Sequence, residues 1–408
     1  MTALRLPPQD WMAARETKAV MTALGEARFV GGVVRNALLG RPVTDIDIAT
    51  PHRPEKVMAL LAAAGIKAVP TGIEHGTVTA VAEGKPFEVT TLRRDVATDG
   101  RHAVVAFTGD WALDAGRRDF TMNALYADSE GTVYDTVGGV DDALAGRVRF
   151  VGDPITRIRE DYLRILRFFR FHAWYGRTGL DAEALYACEK EKAGLAKLSG
   201  ERIAKEMLRL LEAPDPVAVL MSMEMAAILA DVVPGASDLL VLRRLAAIDA
   251  ERGLPPDGLL RLAALLPKER PVLAAELLAA RWKLSNARKD RLIAAAGAAR
   301  DLALFADVRL ARRQLYRLGA EAFHDALLLA LVAQPRQDWR TVLDGVRDLR
   351  VPAFPLSGQD VLARGVRMGP LIGLVLREVE AWWVENDFPA DEALLWARLD
   401  EAVSRVGP

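Results

Sequence analysis

Cysteine is nearly absent from this 408-residue chain: Cys188 stands alone, so no internal disulfide can form and no Cys-rich zinc site can be built. Long hydrophobic runs are missing too. No uninterrupted apolar stretch exceeds the length of residues 326–333, far short of the roughly 18–20 residues that a membrane-spanning helix requires. Residues 1–15 lack a basic segment followed by an apolar core and a small-residue cleavage site, so the expectation is a cytoplasmic protein with no membrane partner. Charge of one sign is lacking as well, since a net charge of −1 leaves no overall basic footprint for nucleic acid. That average hides a local excess: residues 157–177 hold six arginines against only Glu160 and Asp161.

What is present suits folded domains. The chain is 51% hydrophobic and 27% charged, and its length exceeds what one core serves, which points to two to four modules. Up to about Arg149, short β-type runs at 28–30, 43–49, 77–81, 87–91 and 132–135 alternate with helical stretches. Gly40, Pro42, Gly72, Gly84 and Pro86 punctuate them, giving an α+β pattern around a small sheet. Beyond Asp153 the β signals stop, and Leu, Ala, Arg and Glu recur at helical spacing almost to the C-terminus.

Several segments carry chemistry. Arg28-Phe29-Val30-Gly31-Gly32-Val33-Val34-Arg35 reads as a strand, a Gly-Gly turn and a helix start, where close backbone approach and free N–H groups suit a phosphate. Next, Thr44-Asp45-Ile46-Asp47-Ile48 places two carboxylates at i and i+2, on one face of a strand, with the isoleucines turned into the core. Two such charges repel unless a cation lies between them, and hard oxygen ligands suit Mg²⁺ in phosphoryl chemistry. Glu88, inside Phe87-Glu88-Val89-Thr90-Thr91, is the candidate third acid. Arg117-Arg118-Asp119-Phe120 sets two guanidinium forks beside an acid, and one of them can grip a triphosphate.

The run from Arg159 to Phe171 bears on base choice. Read as one helix, it makes Asp161 and Arg164 neighbours on one face, an acceptor beside a donor. That order matches the amino donor and ring-nitrogen acceptor of cytosine and adenine, and opposes uracil and guanine. Glu160, four residues before Arg164, is placed to steady its fork. Helical spacing turns Arg170 away from Asp161, so Arg167 is assigned to phosphates and Arg170 to phosphate, RNA or a structural ion pair.

The order of these pieces resembles the class II tRNA nucleotidyltransferase and poly(A) polymerase family. Gly31 to Arg35 with Asp45-Ile46-Asp47 is similar to its metal motif, Arg117 to Ala124 to its ribose and phosphate motif, and Gly138-Gly139 with Asp142 to its hinge. Glu160 to Arg164 is similar to its amino-acid template, and Ser199-Gly200-Glu201-Arg202-Ile203 with Glu206 to its neck-helix motif. The resemblance implies a small mixed-sheet, polymerase-β-like head at 1–146, then an all-helical neck at 147–213, body at 214–350 and tail at 351–408. It further implies CTP and ATP bound by Gly32, Arg35, Arg117 or Arg118, Asp161, Arg164, Arg167 and Arg170, Mg²⁺ on Asp45 and Asp47, and tRNA as partner. Asn36 departs from the aspartate usual after this arginine.

Within the family, the segment from Glu74 to Asp95 resembles CCA-adding members, and Asp99-Gly100-Arg101-His102 resembles the loop associated with the final A. A C-terminal phosphohydrolase is disfavoured, because His324-Asp325 is the only His-Asp dipeptide. The expected activity is therefore addition of C, C and A to the tRNA 3′ end. The rivals are a poly(A) polymerase of the same family and a catalytically silent RNA-binding relative.

Overall fold

Period-2 burial builds the head. In a computed structural model of the chain, strand β4 (Thr77–Ala82) buries Val78, Ala80 and Ala82, while β5 (Lys85–Thr91) buries Phe87, Val89 and Thr91 and leaves Glu88 exposed. The structure describes residues 4–98, 103–236, 239–298, 302–305, 307–334, 338–367 and 369–406, without the side chains of 95–98 and 103–105. The loop 99–102 singled out above lies outside the described residues.

The other strands are β1 (Arg28–Val30), β2 (Asp47–Thr50), β3 (Lys67–Gly72), β6 (Arg93–Thr98), β7 (Ala103–Phe107), β8 (Tyr126–Ala127) and β9 (Val133–Tyr134). Seven of them form one sheet in the order β3-β4-β5-β2-β1-β8-β9, and β6 and β7 make a separate ribbon. Only the β2–β5 pair is parallel, so the sheet is mixed. One face carries Phe29, Ile48, Val78, Phe87 and Val89 and is covered by helices α1 (Arg15–Leu24) and α3 (Pro54–Ala63). Burying each of these large side chains contributes roughly 1.5–3 kcal/mol. The opposite face has a smaller core of Val30, Ala49, Leu92, Ala115 and Tyr126. Asp47, two residues before Ala49, emerges on that second face.

The expected β run at 43–49 is shorter than its sequence suggests. Strand β2 begins only at Asp47, so Asp45 lies in the exposed approach to the strand rather than on it. Strands β3, β6, β7 and β8 are additions to the sequence reading.

Helix α2 (Gly32–Leu38) follows β1, and α4 (Trp111–Gly116) and α5 (Gly139–Ala145) complete the head. The first glycine of the proposed hinge allows the turn, and the second cannot carry a side chain, because a Cβ on Gly139 would collide with the Thr121 carbonyl. Asp142, buried beside it, accepts from Thr121 Oγ1 at 2.7 Å and from Arg147 and Arg149 Nε at 3.0 Å each.

The chain then becomes helical, with α6 (Pro154–Glu160), α7 (Leu163–Tyr175), α8 (Ala182–Glu191) and α9 (Gly200–Leu211). The single helix expected across 159–171 is in fact two. Asp161, at φ −155° and ψ 106°, leaves the helical region, and its carboxylate takes up the Leu163 amide at 3.1 Å, starting α7 afresh. Phe168 packs on Phe120 and Phe150, tying α7 to the head motif at 117–124.

Two compact units emerge, one of residues 1–236 with 256–258 and 280–284, the other of 237–255, 259–279 and 285–408. The described residues of the second unit contain helices and loops but no strand. One of its cores centres on Phe305, Phe323 and Leu327, the other on Val361, Val379, Trp383 and Leu399. Gly319 breaks its longest helical run, Val308–Ala333. Among the described residues no helix is long and apolar enough to cross a membrane.

Candidate active site

The acids sit at the head of β2. Asp47 is half-buried and its parallel register partner on β5 is Glu88, while Asp45 stands in front of the strand, holding the Thr44 hydroxyl at 3.1 Å. Burial first, then the charge of Glu88 and, more weakly, of Asp45, push the Asp47 carboxyl up to about 6, against an opposing pull from Arg118. A half-buried carboxylate with two further acids beside it suits a divalent cation, which would offset their charge. Among the described residues no three acidic, His or Cys side chains are gathered in metal-ligating range. Asp45 and Asp47 offer two hard oxygen donors, and substrate phosphate and water would complete the shell of an ion such as Mg²⁺.

Beside the acids lies a buried cation. Gly31, at φ 73°, makes the turn into α2, and a Cβ there would lie 3.4 Å from Arg118 Nη1 and from the Asn123 carbonyl. The turn aims Arg35 inward, where it is 5% exposed and stacks 4.0 Å over the Tyr175 ring. Its hydrogen-bond partners are all neutral: Asn123 Oδ1, the Tyr175 hydroxyl at 2.7 Å and Asn36 Oδ1 at 2.9 Å from Nη2. Burial lowers its pKa. Asn36 thus keeps an acceptor on Arg35 without neutralising it, and the guanidinium remains available to an anion such as a triphosphate.

Arg117 and Arg118 share Asp114 on α4. Arg117 Nε donates to Asp114 Oδ1 at 2.9 Å, Arg118 Nη2 donates to Oδ2 at 2.9 Å, and the Tyr126 hydroxyl also donates to Oδ2 at 2.6 Å. Burial opposes ionisation of Asp114, but Arg118, Arg117 and these hydrogen bonds together hold its pKa down to about 2. Of the two arginines, Arg118 is the one beneath Gly31 and electrostatically coupled to Asp47.

On the helical side, the Arg164 amide donates to the Asp161 carbonyl at 3.0 Å, but the two side chains expected to act side by side have separate partners. Asp161 Oδ2 accepts from Arg202 Nη2 on α9 at 2.6 Å. Arg164 pairs with Glu160, as its spacing implies, and Nη1 also reaches the Arg157 carbonyl at 2.7 Å. Arg167 donates to Asp119 Oδ2, with Nε at 2.8 Å, and this pairing brings the buried Asp119 down to about 2 despite the penalty of burial. Arg170 donates to the buried Glu206 at 2.5 Å and covers the Phe171 ring.

A cavity of about 470 Å³ opens over the acids, lined by Gly32, Arg35, Asp45, Asp47 and Arg170 and extended by Trp174, Tyr175 and Arg209. Five of the expected site residues meet there. Glu88, Arg117, Arg118, Asp161, Arg164 and Arg167 do not line it. Sequence reasoning missed Asp114, Asn123, Trp174, Tyr175 and Arg209; the aromatics alone left a trace, at the end of the arginine-rich helix.

An acid pair at the start of a central strand of a small mixed sheet, beside a cationic turn, defines a nucleotidyltransferase. Residues 27–149 match the poly A polymerase head domain, and 179–240 match a probable RNA- and SrmB-binding site of polymerase A. The mitochondrial CCA tRNA nucleotidyltransferase 1 of Danio rerio is 34% identical over 400 residues, 92% of this chain and 88% of that one. The CCA-adding enzyme of Latilactobacillus sakei is 31% identical over 382 residues, 91% of this chain and 93% of its own. The crystal structure of the Bacillus stearothermophilus CCA-adding enzyme with CTP is 28% identical, with a TM-score of 0.75 over 96% of this chain and 98% of that one. This chain belongs to the CCA-adding tRNA nucleotidyltransferase family, whose members generally use a divalent metal.

Proposed function

We propose that this chain extends the 3′ end of tRNA with C, C and A, taking CTP and ATP in turn, with Mg²⁺ as its metal and the cytoplasm as its compartment. The observation that carries this reading is the joining of Asp45 and Asp47 with the neutrally partnered cation Arg35 in one cavity. Kinship over most of the chain with CCA-adding enzymes supports the substrate, and CTP in a relative's structure supports the nucleotide.

Residues of the head at 1–146 and the neck at 147–213 divide the chemistry. Gly32, Arg35 and Arg118 hold the triphosphate, with Arg117 steadied on the same aspartate as Arg118. Arg167 and Arg170 shape the phosphate side through Asp119 and Glu206. Asp161 accepts from the exocyclic amino group of cytosine or adenine while Arg164 donates to the ring nitrogen. The RNA 3′ oxygen forms a bond to the α-phosphorus, the bond to pyrophosphate breaks, and the hydroxyl proton passes to the carboxylate patch of Asp45, Asp47 and Glu88. Mg²⁺ held by Asp45 and Asp47 would supply charge neutralisation at the phosphates. The body at 214–350 and tail at 351–408 are assigned to the tRNA by its shape.

The test is incubation of the purified protein and Mg²⁺ with labelled CTP or ATP and tRNA lacking its last three nucleotides. The expected result is three added residues in the order C, C, A, and none with Asp45→Ala. Long ATP-only tails on unrelated RNA would instead assign a poly(A) polymerase, and no incorporation by the unmodified chain would leave only an RNA-binding protein.

A further inference from the structure

The cavity is larger than the nucleotide assignment uses. Its far wall is Trp174, Tyr175, Arg209 and Glu212, none of which has a role above except Tyr175 as a support for Arg35. Arg164 and Trp174 both lie on α7, ten residues apart, which is roughly 15 Å along a helix. A base read by Arg164 at the start of α7 therefore cannot also rest on Trp174 at its end. Helix α7 offers two base-sized stations, and the acids Asp45 and Asp47 share a cavity with the second.

The reaction brings two nucleosides to those acids, the incoming one and the last one of the RNA. We infer that the wall formed by Trp174 and Arg209 seats the 3′-terminal nucleotide of the acceptor RNA, Trp174 stacking its base and Arg209 meeting its phosphate. Trp174 suits stacking because its ring is fixed: the indole N–H donates to the Arg209 carbonyl at 2.7 Å, which locks α7 to α9 and leaves the ring half-exposed on the cavity. The Arg209 side chain is exposed and in none of the ion pairs among the described residues, so its charge is available to a backbone phosphate. A tryptophan face tolerates any base. That tolerance is what the site needs, because the RNA end changes from its original base to C and to C again while the same acids serve each step. The inference rests on the proposed activity.

The experiment uses the full chain and tRNA lacking its last three nucleotides, with 2-aminopurine as its 3′-terminal base. Without CTP, binding to the unmodified chain should quench the 2-aminopurine fluorescence. Trp174→Ala should lose the quenching and raise KM for the tRNA roughly tenfold with little change in KM for CTP, Trp174→Phe should retain most of both, and Arg209→Glu should weaken tRNA binding and flatten its salt dependence. Quenching and tRNA KM unchanged in Trp174→Ala would overturn the inference, as would a rise confined to the CTP KM, which would give this wall to the incoming nucleotide. If the unmodified chain adds nothing to natural truncated tRNA, the activity fails instead, while quenching still reports on the seat.

Discussion

A buried carboxylate that serves two arginines is the feature at residue scale with the widest reach. Asp114 divides its oxygens between Arg117 and Arg118, and Tyr126 and the Arg93 amide complete its shell. Asp114 touches no substrate, so its part is to position Arg118 under the Gly31 turn. Asp114→Asn keeps the shape but removes the charge and turns a donor toward a guanidinium, an arrangement that costs about 3–5 kcal/mol when a buried pair is broken. The expected outcome is a KM for CTP raised tenfold or more with the tRNA KM held, measured by steady-state kinetics. An equal fall in affinity for both substrates would indicate general loss of structure. None of this was legible in the sequence, where Asp114 is one acid among 55 acidic residues and its partners are fixed by the sheet. By contrast, the closeness of Asp45 and Asp47 was legible, because they stand two residues apart in the sequence and line one cavity.

The elements show where periodicity succeeds and where it fails. Strands β4 and β5 were readable because alternation of buried and exposed positions is a local signal, and β1 because a short apolar run precedes a Gly-Gly turn. Strands β3, β6, β7 and β8 were not, being set by pairing with neighbouring strands rather than by a local pattern, whereas β9 fell within the expected run 132–135. The break at Asp161 is the instructive failure: the apolar spacing of Leu163, Leu166 and Phe169 continues smoothly, but a side-chain cap competes with the helix for the backbone. Asp161 is consequently placed by a turn and by Arg202, and Arg164 by Glu160, on separate supports. Arg202→Ala should therefore loosen Asp161 alone. With that acceptor free to swing away, the preference for CTP over UTP should fall about tenfold, the scale of one misplaced buried hydrogen bond of roughly 1–3 kcal/mol, as read by competitive incorporation. An unchanged preference would mean that the Leu163 cap alone fixes the acceptor.

At the scale of the whole molecule, the first unit should be the acid-sensitive one. Asp114 and Asp119 both belong to it, and both are brought down to about 2 from an ordinary value of 3.8, Asp114 by its chain neighbours Arg118 and Arg117 and Asp119 by Arg167 on α7. A depressed acid stabilises the fold fully above its unfolded pKa, and that contribution is lost as pH falls through the folded value. The window therefore opens near pH 4 and closes near pH 2. Each carboxyl contributes roughly 2 kcal/mol, by the relation of about 1.4 kcal/mol per pKa unit. Asp47, raised to about 6, has the opposite sign and lies outside that window, so it cannot mimic the effect. Because Arg167 reaches Asp119 across the junction of head and α7, acid should separate these two segments as it unfolds them. Urea unfolding at pH 5, 4 and 3, followed by amide exchange in residues 111–124 and 163–175, should show both segments losing protection together as the midpoint falls. Asp119→Asn should be less stable at pH 5 and should lose about half as much stability as the unmodified chain from there to pH 3, because Asp114 still titrates in the same window. A midpoint in the unmodified chain that stays level to pH 3 would show that these two ion pairs do not govern the stability of the catalytic half.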